Sequence, residues 1–385
     1  MTLNGFFGVV IGLLLLVPAP FGGAAPLAQG VRPGLSEAGA GSPGDSAELD
    51  FVGPPPPPLF LADRMERLLA EAGDMPALTS FIAARRGSLV VQNYYGNLRP
   101  SQTVNVKSVS KTLLSPMVGI AIRDGLLKGA DQPIHELLPD YYEALAESGA
   151  LDPRKNEIEV RHLLSMRTGI ETASFGNYGA WVASADWVYD QLRRPMVCDP
   201  GECHEYSTGN THLLSVILAR RSNRSLRRYM LDELYGPMGI SLGEWDRDPQ
   251  GRYLGGNNMS LTPRDMLKFG QLYLDGGRFE GRQLVPEEWI DASWSSTGSS
   301  PWNGHGYGYL WWIRRWGGER AYFAWGYGGQ FIVVVPRLDL VLVATSSLRD
   351  RERGHTRRMW RFFDRYAIPA FRVGWGAETR SEVHR

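Results

Sequence analysis

Lysine is scarce in this chain: of 41 basic residues only Lys107, Lys111, Lys128, Lys155 and Lys268 are not arginine. An amine sheds its proton when taken out of water and a guanidinium does not. A lysine kept in an arginine-rich sequence therefore marks a place to look for acid–base chemistry, with codon bias as the plain alternative. Net charge is missing as well, because 41 acidic residues balance the 41 basic ones. Nothing in the charge points to nucleic acid or to a membrane surface, and no partner protein is evident. Cysteine is limited to Cys198 and Cys203. His204 and His212 nearby do not complete a ligand set, so the sequence predicts neither a metal nor a cofactor.

No stretch is apolar for long enough to cross a bilayer comfortably. Phe6 to Val17, followed by Pro18 and small residues through Ala28, has the length of a signal-peptide core. Residues 1–28 are therefore expected to be a signal peptide and the protein to be exported, periplasmic or extracellular. It would be held at a membrane only if that segment stayed uncleaved. The run lacks a basic start, its first charged residue being Arg32. Residues 29–58, rich in Gly, Pro, Ala and Ser and ending in Pro54 to Pro58, pack no core and predict an extended linker. The folded domain is expected over residues 59–375, with residues 376–385 as a tail. An oxidising compartment would let Cys198 and Cys203 pair across the turn at Asp199–Glu202; two unrelated thiols are the alternative.

Within the domain, Leu61 to Ala72 reads as a helix, Ser88 to Tyr95 as a strand and Thr112 to Asp124 as a helix stopped by Gly125. The middle, from about 130 to 285, is mostly helical in pattern. Strands return at Gly308–Ile313, Gln330–Pro336 and Leu338–Ser346. Strands first, helices in the middle and strands last predict an α+β fold. Its antiparallel sheet, flanked by helices, would lie beside a mostly helical lobe, with a site in the cleft between them.

Three stretches carry chemistry. In Ser108-Val109-Ser110-Lys111 the lysine follows the serine by one helical turn, so a desolvated amine can take the hydroxyl proton. The helix N-terminus favours a developing alkoxide. Read structurally instead, Ser108 is an N-cap and Lys111 an exposed helix lysine. The stretch Pro200 to Leu214 delivers Tyr206 from a turn into a helix, where a phenol beside an ammonium can move protons; a packed tyrosine at a helix start is the alternative. In Ala324-Trp325-Gly326-Tyr327-Gly328-Gly329-Gln330, glycines beside a sheet-edge strand let substrate approach the backbone. A backbone N–H there, paired with that of Ser108, would form an oxyanion hole, unless the glycines serve only a tight hairpin.

In this order and spacing the three stretches resemble the β-lactamase-like serine hydrolases, the penicillin-recognising or β-lactamase/transpeptidase-like fold. The resemblance runs from about 60 to 370 and takes in Arg161–Gly169, Leu261–Met266 and Tyr309–Trp312. It implies Ser108 as nucleophile, Lys111 as the base for acylation and Tyr206 as the second proton carrier. Two departures bear on substrate. Tyr206-Ser207-Thr208 stands where the β-lactamases have Tyr-x-Asn, and Trp325-Gly326-Tyr327 where they have Lys-Thr-Gly. The second removes a cation for a substrate carboxylate, a loss of about 1.5–3 kcal/mol. β-Lactamase and D-alanyl-D-alanine peptidase activities are thereby disfavoured. The pattern is similar to the esterase and 6-aminohexanoate-dimer hydrolase branch, whose substrates are small esters or amides. A scaffold that binds ligand without catalysis would be expected to have lost one of the three residues. Tyr327 N–H is the expected second oxyanion donor, with Gly328 as the alternative. Thr208, Trp187, Asn257, Trp325, Gly326 and Gly328 are the expected substrate-binding positions. Trp187 reads equally as core and Asn257 as a turn residue.

Overall fold

The computed structural model describes residues 59–372. The expected signal peptide, linker and tail lie outside the described residues. Helix α1 (Leu59–Gly73) precedes strands β1 (Leu78–Arg85), β2 (Ser88–Tyr94) and β3 (Val104–Asn105), and β3 leads into α2 (Val109–Arg123). The middle holds α3 (Pro139–Glu147), α4 (Val160–Leu164), α5 (Tyr178–Val182), α6 (Trp187–Arg193), α7 (Thr208–Ser222) and α8 (Leu226–Met230). Strand β4 (Ser260–Leu261), helix α9 (Pro263–Leu274), the hairpin β5 (Arg278–Phe279) and β6 (Arg282–Gln283), and α10 (Glu287–Trp294) follow. The last part is β7 (Gly298–Ser299), β8 (Gly306–Tyr307), β9 (Trp312–Trp316), β10 (Glu319–Gly326), β11 (Gln330–Val335) and β12 (Leu340–Ser346), then α11 (His355–Phe362) and α12 (Ile368–Ala370).

Eight strands form one antiparallel sheet in the order β2-β1-β12-β11-β10-β9-β8-β7. Its centre is legible in the sequence, because Phe331–Val335 of β11 and Leu340–Ala344 of β12 are unbroken apolar runs, and every residue of both strands is buried. Alternation sends Phe81 and Phe331 to one face, against Phe362 of α11 and the adjoining Phe363, with ring centroids 5.1 Å apart in each pair. Val341 and Ile332 turn to the other face, toward α9. There Gly270 has no Cβ because one would collide with Val341. Burying each such large side chain stabilises the fold by about 1.5–3 kcal/mol. The architecture is thus α+β, a sheet with helices on both faces beside a helical lobe.

One strand has no counterpart in the sequence reading, and one expectation needs correction. Strand β1 carries no alternation, since seven of its eight residues are buried as a central strand, and so it escapes a pattern search. The stretch Gly308–Ile313 is not one strand. Its first four residues form the loop between β8 and β9, with Leu310 at φ 64°. The Leu310 N–H bonds the Leu164 carbonyl, while its own carbonyl accepts from Thr112 Oγ1 at 2.7 Å. The loop therefore leaves the sheet to tie α2 to the helical lobe.

Candidate active site

Every residue of helix α2 from Val109 to Ala121 is buried, so its first turn can be held rigidly inside the protein. Ser108 occupies its N-cap position, but the hydroxyl makes no capping bond. The hydroxyl instead accepts from Lys111 Nζ at 3.2 Å. Ser108 therefore holds the N-cap position without a capping bond, and the exposed-lysine reading of Lys111, which is 1% accessible, does not hold. Ser110, between them, bonds the Lys107 carbonyl at 2.6 Å and accepts from Met259 N–H, which fixes the start of the helix. Lys107 itself sits at φ 52°, a strained backbone conformation directly before Ser108.

Three acceptors surround Lys111 Nζ: Ser108 Oγ, Thr208 Oγ1 at 3.0 Å and the Gly256 carbonyl at 2.7 Å. An ammonium has three donors and no acceptor, so this set satisfies it completely. No carboxylate contributes, and burial lowers the amine from its ordinary 10.5 to about 7. Its charge also lies 5.1 Å from the centroid of the Tyr206 ring. Burial acts in the opposite sense on that phenol, raising it well above 10 against a smaller lowering by its hydrogen bond to Ser108. Near neutral pH the site therefore holds an amine that can accept a proton beside a phenol that keeps one.

Residues that the sequence left unassigned hold these groups. The Thr208 hydroxyl pairs with Ser174 Oγ at 3.0 Å, and Ser174 also accepts from Thr208 N–H at 2.8 Å. Thr208, 3% accessible, thus holds Lys111 through its hydroxyl. Thr172 Oγ1 donates to the Tyr206 carbonyl at 2.6 Å, and Glu205 N–H to the Met166 carbonyl. Upstream, Cys198 and Cys203 are joined in a disulfide with Cα atoms 6.3 Å apart. The turn it closes is gripped by Arg167, whose guanidinium donates to the carbonyls of Gly201 and Glu202. Gly256 is delivered by a second brace. His212 Nδ1 accepts from Gly255 N–H, leaving Nε2–H to donate to Asp248 Oδ2 at 3.0 Å. No periodicity marks any of these contacts, though the hydroxyl pairs at Thr172/Ser174 and Ser207/Thr208 are a signal that could have been weighed.

The third stretch is expected beside a sheet-edge strand, but β10 and β11, which it joins, are both interior to the sheet. Strand β9 pairs with β10 only over Glu319–Phe323, so Ala324–Gly326 form a local open edge within an interior strand. Gly326 packs directly on the loop before Ser108, because a Cβ there would collide with the Val106 carbonyl. The N–H groups of Ser108, Tyr327 and Gly328 have no backbone acceptor among the described residues. Gly328 is at φ 89°, with the space of a Cβ taken by Leu348. Turn geometry therefore requires this glycine. Tyr327 exposes its ring, which Arg351 covers at 4.4 Å.

The remaining expected contacts separate. Trp325 is half-buried and stacks on the exposed Trp302 with centroids 5.3 Å apart. Trp187 is 5% accessible, packs on Trp181 and His212, and donates its indole N–H to the Val182 carbonyl. It is a core residue of the helical lobe, not part of the cleft. Asn257 donates to the Tyr178 hydroxyl at 2.9 Å, and its Oδ1 has no partner. No group of His, Cys, Asp and Glu suited to a metal occurs among the described residues.

Residues 62–363 match the Beta-lactamase family. A 6-aminohexanoate-dimer hydrolase of Paenarthrobacter ureafaciens is 25% identical over 341 residues, covering 77% of this chain and 82% of that protein. Among solved structures, a protein of Bacillus anthracis assigned as a 6-aminohexanoate-dimer hydrolase superposes with a TM-score of 0.65 at 20% identity, over 78% of this chain and 81% of that one. EstCE1, a hydrolase with promiscuous acyltransferase activity, superposes with a TM-score of 0.63 at 16% identity, over 79% of this chain and 98% of that one. With the sheet, the helical lobe and the Ser108–Lys111–Tyr206 cluster between them, these matches give the chain its family: it belongs to the Beta-lactamase family and has the β-lactamase/transpeptidase-like fold.

Proposed function

We propose that the protein hydrolyses a carboxylic ester or short amide through an acyl-enzyme on Ser108. The observation that carries this reading is the buried, carboxylate-free Lys111 at about pKa 7, 3.2 Å from an uncapped Ser108 hydroxyl. Neutral Lys111 takes the hydroxyl proton as Ser108 Oγ attacks the substrate carbonyl carbon. The tetrahedral oxyanion is held by the N–H groups of Ser108 and Tyr327, at the N-terminus of α2. Tyr206 gives its proton to the departing oxygen or nitrogen as that bond breaks, and recovers one from Lys111. Water then enters against the acyl-serine, releasing the acid and free Ser108. The divergence of the two pKa values assigns base and acid in this way.

Trp325 in place of a lysine disfavours substrates that need a carboxylate bound at this position. The named activity of the 25%-identical relative, on 6-aminohexanoate dimers, supports the small-amide half of the reading. Export also belongs to the reading, supported by the apolar run at Phe6–Val17 and by the Cys198–Cys203 bridge. The test is labelling by a fluorophosphonate and turnover of a p-nitrophenyl ester, with the wild type compared with Ser108→Ala. Labelling and turnover confined to the wild type are expected. Equal labelling of both proteins would sink the proposal.

A further inference from the structure

Two loops distant in sequence place large apolar side chains in water beside the same site. Phe175 and Trp302 are each 57% accessible, and their rings meet with centroids 5.3 Å apart. Phe175 reaches the ring of Tyr206 at 6.0 Å, and Trp302 lies flat on Trp325 with 3° between the planes. Trp312 backs the group, 5.5 Å from Tyr206 and 5.9 Å from Trp325. The five rings form one uncharged surface, running from the phenol to the open edge of β10.

Neither exposed ring is a loose surface residue. Phe175 is held at φ 53°, uncommon for a bulky side chain, directly after Ser174, whose hydroxyl is bound to Thr208. Asn177 braces the same loop by donating to the Thr172 carbonyl at 3.0 Å. Trp302 lies in the loop between β7 and β8, closed by Gly304 N–H to the Ser300 carbonyl at 2.8 Å and by His305 N–H to Asn303 Oδ1. A protein that fixes two aromatic rings in water next to a proton-transferring phenol has a partner for them in the reaction, because a contiguous exposed apolar surface is otherwise a liability.

We infer that this surface binds an uncharged aromatic group on the leaving-group side of the substrate. The assignment of side follows from Tyr206: the atom that receives its proton is the one that departs, so the group attached to that atom lies along the rings in contact with Tyr206. Flat aromatic alcohols and amines match the paired Trp302 and Trp325 faces and gain from stacking on them. The inference rests on the Ser108 reading, and its test has two arms so that each can fail separately.

In the first arm, methyl and 2-naphthylmethyl esters of one acid are compared in the wild type, Phe175→Ala, Trp302→Ala and Trp302→Phe. The expected result is a tenfold or greater fall in the naphthylmethyl-to-methyl ratio of kcat/KM for both alanine variants, carried mainly by KM, with Trp302→Phe restoring most of it. An unchanged ratio in both alanine variants overturns the inference. In the second arm, binding of 2-naphthylmethanol to the Ser108→Ala protein is measured by calorimetry, with and without Trp302→Ala. Saturable binding lost with Trp302 supports the surface even if Ser108 proves not to be the nucleophile. Absence of binding in an otherwise active hydrolase overturns it.

Discussion

The carbonyl oxygen of Gly256 accepts from Lys111 Nζ at 2.7 Å, a closer contact than the amine makes with Ser108 Oγ at 3.2 Å. A backbone carbonyl only accepts, so it retains one N–H of the amine in either charge state. Thr208 Oγ1 retains a second. When Lys111 loses a proton and the Thr208 hydroxyl donates its own hydrogen bond to Ser174 Oγ, the lone pair of the amine is left facing the Ser108 hydroxyl. Gly256 sets the direction of the base as well as holding it.

Gly256→Ala should break this relationship. Its φ is +82°, and a Cβ there would stand 2.5 Å from Lys111 Cγ and against Thr211 Oγ1. A displacement of the base near 1 Å costs about 100-fold in rate, so kcat should fall by about that factor with KM little changed. Steady-state kinetics beside a circular dichroism spectrum separates this outcome from unfolding.

The rate should follow the charge of Lys111. Protonated below about 7, the amine cannot act as a base, so kcat/KM should rise with pH through about 7 and then level. Lys111→Arg should lose activity at every pH, by about 10²–10⁴-fold, since guanidinium keeps its proton. Stability carries the complementary sign. Between about 7 and 10.5 the unfolded chain binds a proton at Lys111 that the native state does not. Unfolding free energy should therefore rise with pH across that window, and Lys111→Met should flatten the rise. Kinetic and urea-denaturation pH profiles check the two halves.

Thr208→Val should move the acidic limb of the rate profile to lower pH. It removes an acceptor that favours the charged amine, leaving desolvation less opposed. The same variant lets the amine swing, so kcat should drop about tenfold. Ser174→Ala, which acts through Thr208, should shift the limb in the same direction by less. A limb that stays near 7 in both variants would show that Thr208 does not set the amine.

Replacing Cys198 and Cys203 together by Ser should cost about 2 kcal/mol, the entropy of a short closed loop. Urea denaturation under oxidising conditions measures it. Because Arg167 still grips Gly201 and Glu202, Tyr206 should keep its place and activity should change less than stability.

The sequence, read alone, determined the elements whose pattern is local. Ser108 and Lys111 share a helix face because three residues make about one turn, and Phe331–Val335 and Leu340–Ala344 announce the burial of β11 and β12 by unbroken apolar runs. What it misread was also local in origin. The loop at Gly308–Trp311 has strand-like residues, but a contact with Leu164 pulls it out of the sheet, and Trp187 carries no mark that tells core from cleft.

Only the tertiary structure decided what those groups can do. The acceptors of Lys111 lie 97 and 145 residues away in the chain, and no period or composition links such positions before the chain closes on itself. The lowered pKa of Lys111 is a consequence of burial, and burial belongs to the packed whole. So does the pairing of Phe175 with Trp302: each is unremarkable in its own loop, and the fold alone turns them into one surface beside Tyr206.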